Sequence, residues 1–354
     1  MWNRCSIHEQ YSYNEIRIDL KFLVITAGGK AKQKQLGMGH IYRTLNLVEH
    51  LKKTNTIYFL IEDHGGAKKI IRKKRFKTLL FKKNLTVISR ITNTLDIITK
   101  YKIDGVIIDW NEIGEKFVHE IRKHIKTIFI TDMKNKEIDA DIVVNGFIGF
   151  KNSIIKNKYN SKCLLGPRFQ ILNKEFSRIQ KYTKKNNILV TFGGFDENNI
   201  TEFVLNNLTQ NKKIKAKFIL GPATTKTKKI YQLEKKLKEN VEIVTETENM
   251  CKEIKMVEIG ICSGGLTSYE FAACGIPFII ICQVKHQLLA AKEWEKRKIA
   301  INLGVYNEKS KKNLVKIINE LPLKKLKGRR LVDGNGGKRV AYQIDKYFHE
   351  KSSK

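Results

Sequence analysis

Acidic residues are in short supply in this chain: 35 Asp and Glu stand against 68 Lys and Arg, a formal net charge of +33 over 354 residues. An excess of that size attracts polyanions, either nucleic acid or an anionic membrane surface. The lysines, however, are spread along the whole chain among many Asn and Ile, as a general compositional bias spreads them, so solvated lysine faces are the plain explanation. The chain also lacks arginine-aromatic interleaving, zinc-ligand spacing and a basic recognition helix, which argues against a nucleic-acid partner. The densest basic run, Lys68–Lys83, stays a candidate for touching an anionic membrane.

Paired cysteines are missing as well. None of the six (Cys5, Cys163, Cys251, Cys262, Cys274, Cys282) stands in CxxC spacing, and several fall in apolar strands or at a helix end. They read as reduced core thiols of a cytoplasmic protein, without a disulfide framework or metal ligands. No apolar run is long enough to span a bilayer, and the first residues contain no hydrophobic signal segment. Nothing calls for a cofactor, and no signal fixes an oligomeric state. What is present is ample apolar material, 42% of residues with only 4 prolines to interrupt it, enough for two domains with separate cores.

The chain is organised around Val257–Ile281, VEIGICSGGLTSYEFAACGIPFIII. Its pattern predicts a buried strand to Cys262, a turn at Ser263, Gly264 and Gly265, a helix opening at Leu266 or Thr267, and a stop at Gly275 and Pro277 before another strand. Two glycines before a helix let the backbone approach a ligand, and the first-turn N–H groups with the positive end of the helix dipole suit a diphosphate. Glu270, within the first two turns, could accept both hydroxyls of a ribose. The alternative is a tight strand-to-helix connection with Glu270 as a surface residue, since a glycine pair alone is weak.

A similar arrangement occurs near the start. Residues 1–20 read as a polar arm. Lys21–Thr26 is a short buried strand, and after a basic loop to Leu36 come Gly37, Met38, Gly39 and His40, opening a helix with apolar residues at Ile41, Leu45, Val48 and Leu51. At a helix N-terminus the dipole disfavours an imidazolium, so His40 would be neutral, as a general base requires; capping or surface decoration is the other reading. Further units follow: a strand Thr56–Ile61 and a basic helix, a strand Leu85–Ser89 with a helix from Ile91, a strand to Asp109, a helix from Glu112, and strands Thr127–Thr131 and Asp141–Val144. Val/Ile runs alternating with amphipathic helices predict parallel sheets covered on both faces, with ligands at the strands' carboxyl ends. Asp109 and Asp132 end two such strands, as helix caps or as substrate contacts. Near Gly166-Pro167 a second half begins, with Phe192-Gly193-Gly194-Phe195-Asp196 after another strand.

In order, GMGHIYRTL, VIID, LLGPRFQILNKEF, LVTFGGFDENNIT, GICSGGLTSYEFAACGIP with Gln287 downstream, and VDGNGGKRV resemble the UDP-2,4-diacetamido-2,4,6-trideoxy-β-L-altropyranose hydrolases of pseudaminic acid biosynthesis. Those enzymes are similar to the undecaprenyl-linked muramyl-pentapeptide N-acetylglucosaminyltransferase. Over about residues 21–345 the resemblance implies an α/β, GT-B-like chain of two Rossmann-like parallel-sheet domains facing a cleft, with residues 21–165 on the catalytic side, 166–330 binding UDP, and 331–354 as a terminal helix and tail. It implies His40 as the base, with Gly37 and Gly39 beside it; Gly193 and Gly194 at the nucleotide; Ser263, Gly264, Gly265 and Thr267 on the diphosphate; Glu270 on ribose; and Gln287 on the sugar or distal phosphate. The implied reaction is metal-independent hydrolysis of a UDP-sugar with inversion in a surface-glycan pathway. A glycosyltransferase with a lipid-linked acceptor is the alternative on this frame, and a binding protein without turnover is the third. Asn111 stands where the family usually has an aromatic, Phe195 where Ser is common, and His286 where Asn often precedes the glutamine.

Overall fold

The computed structural model describes residues 19–29, 37–82, 85–178, 182–183, 186–208, 214–222, 224, 226–245, 247, 249–320 and 330–350. Nearly all of the expected arm, the basic loop 30–36 and the last residue of the run Lys68–Lys83 lie outside the described residues.

The first half is built as β1 (Leu20–Gly29), α1 (Gly39–Leu51), β2 (Asn55–His64), α2 (Ala67–Lys73), β3 (Lys77–Leu80), α3 (Val87–Tyr101), β4 (Gly105–Asp109), α4 (Glu115–Arg122), β5 (Lys126–Thr131), β6 (Ile142–Asn145), β7 (Ser153–Lys156) and β8 (Lys162–Leu165). Its eight strands lie in the order β3-β2-β1-β4-β5-β6-β8-β7, with each neighbouring pair parallel except β7 on β8. The sequence reading misplaces one unit here. Residues 87–89 are helix, not strand, because Thr86 Oγ1 caps α3 by accepting from the Ser89 amide, and the strand falls earlier, at β3.

The second half comprises β9 (Asn186–Thr191), α5 (Ile200–Leu208), β10 (Ala216–Ile219), α6 (Lys228–Lys236), β11 (Val241–Val244), α7 (Met250–Lys255), β12 (Val257–Cys262), α8 (Leu266–Cys274), β13 (Phe278–Cys282), α9 (Leu288–Lys296), β14 (Ala300–Val305) and α10 (Glu308–Asn319). Its six strands run in the order β11-β10-β9-β12-β13-β14, all pairs parallel. Continuous burial of Phe278–Cys282 shows why that segment carries no alternation: both faces of the sheet are covered.

The last helix, α11 (Gly336–His349), returns to the first domain. Val340, Ala341, Ile344 and Phe348 join the core under α1, and Phe348 meets Phe22 edge-on with ring centroids 5.0 Å apart. Gly105 makes room for it, since a Cβ there would lie 2.4 Å from Phe348 Cζ. Residues 336–349 therefore complete the first domain's core. The halves also interlock: Phe147 and Ile148 pack into the second domain's core, Phe195 packs on the first domain's core, and Arg297 Nη2 donates to Ile148 O at 2.8 Å.

Candidate functional site

Parallel strands bring their carboxyl ends to one edge, and in the first domain that edge collects charge. Residue His40 is in the first turn of α1, after β1; Asp109 closes β4; Asp132 follows β5. Strand register sets Asp109 beside Thr26, whose hydroxyl donates to Asp109 O at 3.0 Å. The Asp109 carboxylate is fully buried, with Oδ1 2.7 Å from His40 Nδ1 and 2.6 Å from Arg43 Nη2, and Oδ2 accepting from Arg43 Nε at 2.7 Å. Arg43 Nη1 reaches Asp132 Oδ2 at 3.1 Å, and Asn111 Nδ2 donates to Asp132 Oδ1 at 3.1 Å. One guanidinium thus ties two strand-end carboxylates together, a fork geometry that lysine could not supply.

Two expectations change. The α1 N-cap is Met38, with no side-chain capping bond, so His40 is not a cap. Nor is it kept neutral by the helix dipole. Burial does oppose the imidazolium, but the Asp109 carboxylate at hydrogen-bond distance outweighs it and raises the His40 pKa above 6.5. With Nδ1–H donating to Asp109, the imidazole keeps its lone pair on Nε2, the arrangement of an oriented base. Asp109, left by the sequence as helix cap or substrate contact, is 0% exposed, with its carboxylate oxygens on His40 and Arg43. Against the cost of burial, Arg43 holds its carboxyl below the usual range, so it stays ionised. Asp132 is the carboxylate that opens to the crevice, with 44% of its side chain exposed. Burial of its inner face works against its charge, but Arg43 and then His40 hold its pKa well below normal.

The second domain meets this edge with backbone. After β9, Gly193 has φ +80°, in the left-handed region, and Gly194 approaches so closely that a Cβ would lie 2.6 Å from Met38 N, next to the Gly37–Gly39 loop. Among the described residues, no atom lies within 4 Å of a Cβ built at Gly37 or Gly39. Phe195, set where a small polar residue was expected, is the apolar contact that holds this loop on the first domain. Asp196 caps α5, accepting from the amides of Ile200 and Thr201.

After β12 comes the turn Ser263, Gly264, Gly265. Gly264 backs onto Gln287, 2.8 Å from a virtual Cβ to Gln287 O, while Gly265 has room, its nearest neighbours being Gln287 Nε2 at 3.7 Å and Ser263 Oγ at 3.8 Å. Ser263 and Thr267 are buried, and Glu270 is half-buried. Burial, with Cys251 nearby, pushes the Glu270 carboxyl up to about 7. Gln287 Oε1 accepts from Gln283 N at 2.9 Å, which turns its Nε2 toward the glycines. His286 is exposed on the second domain.

Three contributors escape sequence reading. Arg43 carried a signal, since it lies three residues after His40 and so on the same helical face. Tyr269, whose hydroxyl accepts from Ile148 N at 3.1 Å, and Gln283, whose amide donates to Phe192 O and Phe195 O at 3.0 Å, become visible only when the chain folds.

Residues 187–341, from β9 into α11, match the glycosyltransferase family 28 C-terminal domain. The chain has a GT-B-like fold, with two parallel-sheet Rossmann-like domains. Its architecture is that of Acinetobacter baumannii MurG, with TM-score 0.64 and 16% identity over 92% of this chain and 99% of that one. By sequence it is similar to Bacillus subtilis SpsG, the spore coat polysaccharide biosynthesis protein, at 27% identity over 89% of this chain and 96% of SpsG. The uncharacterized protein MJ1062 of Methanocaldococcus jannaschii is 32% identical over 282 residues, 75% of this chain; that alignment spans 56% of MJ1062's own length. Among the described residues, no helix of the GT-B chain is long and apolar enough to cross a membrane.

Proposed function

We propose that the protein transfers a sugar from a UDP-sugar donor to a hydroxyl acceptor in the synthesis of a surface polysaccharide, with inversion at the anomeric carbon. The observation that carries this is the His40–Asp109–Arg43 arrangement set against the glycine turns of a family 28 domain. In this reading His40 Nε2 takes the proton of the incoming hydroxyl as its oxygen bonds to the anomeric carbon. The bond from that carbon to the β-phosphate oxygen breaks, and UDP leaves. Backbone N–H groups from Ser263 to Thr267, with the α8 dipole, take up the charge on the diphosphate. Glu270 receives the ribose hydroxyls, Gly193 and Gly194 border the nucleotide, and Gln287 Nε2 reaches the sugar or distal phosphate. Asp109 orients His40 and touches no substrate.

Exposed Leu80 (44%) lies within the basic run Lys68–Lys83, and exposed Val87 (39%) and Ile88 (67%) follow it in sequence. Apolar side chains beside lysines favour an acceptor carried on lipid, held at an anionic cytoplasmic membrane face. SpsG's name supports the polysaccharide setting. Water as acceptor is the second reading, favoured by the order of motifs around His40, Gly193-Gly194 and Gly264-Gly265 that resembles the UDP-sugar hydrolases of pseudaminic acid biosynthesis.

The test is to incubate purified protein with a panel of UDP-sugars, in EDTA and separately with added magnesium, with and without lipid-linked acceptors, and to follow UDP against a His40→Ala control. Acceptor-dependent, His40-dependent release is expected. His40-dependent release without acceptor would select hydrolysis. Tight UDP binding with no release under any condition would leave only a binding protein, and a strict divalent-ion requirement would overturn the role given to the α8 amides.

A further inference from the structure

Cys251, in the first turn of α7, and Cys274, the last residue of α8, bring their sulfurs to 3.9 Å. The sequence gives no hint of it, since 22 intervening residues and no recognised spacing separate them. Each thiol also has a backbone partner: Cys251 Sγ donates toward Glu175 O at 3.3 Å and Cys274 Sγ toward Cys251 O at 3.8 Å. Cys251 is 4% exposed, whereas Cys274 is partly open to solvent. Lys255 lies one helical turn beyond Cys251, with its ammonium bonded to Arg178 O at 2.7 Å. Contact with Cys274 and the charge of Lys255 lower the Cys251 thiol to about 7, while the same contact and burial raise Cys274. The two sulfurs are therefore unequal, the contact and Lys255 favouring the thiolate on Cys251 and the thiol on Cys274.

We propose that Cys251 and Cys274 form an oxidative modification site at which a hydroperoxide converts the two facing thiols into a reversible disulfide joining the start of α7 to the end of α8. The Cys251 thiolate attacks the terminal peroxide oxygen; the O–O bond breaks, the leaving alkoxide or hydroxide takes a proton, and Cys251 becomes a sulfenic acid. The Cys274 sulfur then attacks the Cys251 sulfur, and its proton leaves with the displaced hydroxyl as water. Two thiols lose two electrons and the peroxide gains them. Sulfurs at 3.9 Å must close by roughly 2 Å to reach the ~2.05 Å bond, a movement a short helix such as α7 can make. The link bears on the candidate site through α8, the helix that opens at the glycine turn and carries Glu270 one turn before Cys274. Neither sulfur touches His40, Asp109 or Arg43.

The test is to treat the full-length protein with a small excess of hydrogen peroxide, map the peptides without reduction, and measure UDP binding before and after adding dithiothreitol. A linked Cys251–Cys274 peptide about 2 Da lighter than the two free peptides is expected, together with a change in UDP affinity that dithiothreitol reverses. Cys274→Ser should accumulate a dimedone-reactive sulfenic acid on Cys251. Should that variant fail to fold, wild-type mapping decides alone. Unmodified cysteines, over-oxidation of Cys251 without a link, a link to another cysteine, or a link without effect on UDP binding would each overturn the proposal.

Discussion

The two sides of the crevice are built from opposite materials. The first domain presents fixed charge: a histidine, an arginine and two aspartates whose bonds run from 2.6 to 3.1 Å. The second presents mostly backbone, at Gly193, Gly194, Gly264 and Gly265, and its Glu270 carboxyl has a pKa pushed up instead of down. The contrast teaches a division of labour. Side-chain charge held in a rigid network suits proton transfer, whereas open backbone amides suit an anion that arrives and leaves. The largest break in this contrast should come from Asp109→Ala. It leaves the Arg43 guanidinium buried with only the partly exposed Asp132 and removes the partner of His40. Loss of a buried partner costs about 3 to 5 kcal/mol, so chemical denaturation should show a stability loss of that order, with turnover falling alongside. A stable variant with full activity would remove the network from the chemistry.

His40 tests the same side more selectively. His40→Ala should lower turnover by about 10²- to 10⁴-fold while UDP binding, measured by calorimetry, stays within about twofold, since the proposal places the nucleotide on the other domain. In the wild type, kcat/KM should rise with pH through a value above 6.5, since Asp109 raises the pKa of His40 and the base must be unprotonated. The stability sign is opposite. A group with a raised folded pKa contributes in full below 6.5 and loses its contribution as pH rises through the higher folded value. In Asp109→Asn, if folded, the ascending limb should move to lower pH. A limb that does not move would mean that another group sets it.

The glycine pair sharpens the other side. A Cβ at Gly264 would come within 2.8 Å of Gln287 O, so Gly264→Ala should shift the turn and lower both Tm and UDP affinity. Gly265 has space within the protein, so Gly265→Ala should leave Tm nearly unchanged yet weaken UDP by about tenfold, roughly 1.4 kcal/mol, because the methyl occupies the room where the phosphates approach. Equal affinity in Gly265→Ala and wild type would move the diphosphate elsewhere.

Much of this side was legible in the sequence because its signals are local. A strand, a small-residue turn and a helix over Val257–Ile281 need no distant partner to be read, and β12, α8 and β13 fall there. The first domain's network was only half legible. His40 and Asp109 could each be marked, but what sequence leaves open depends on a contact 69 residues apart that buries the Asp109 carboxylate against His40. Thr86 misled because Val, Ile and Ser after it fit a strand as well as a helix, and the cap decided the matter. The return of α11 to the first core was invisible, since an amphipathic face does not name the sheet it will cover.

The smallest expected effect concerns Glu270, where the two sides of the crevice come nearest to each other in kind. Its carboxyl is pushed up to about 7 by burial first and by Cys251 second. In the proposed role the ionised carboxylate accepts from both ribose hydroxyls; protonated, it offers one fewer acceptor and a competing donor. UDP affinity should therefore strengthen as pH rises from about 6 to 8, with the midpoint near 7. Glu270→Gln should flatten that dependence and weaken binding at pH 8 by about fivefold, roughly 1 kcal/mol, with kcat for saturating donor unchanged because His40 is untouched. Thymidine diphosphate, which lacks the 2′-hydroxyl, should lose less than UDP in the same variant. An equal loss for both nucleotides, or a pH dependence that survives the substitution, would take Glu270 off the ribose and leave nucleotide recognition to the backbone alone.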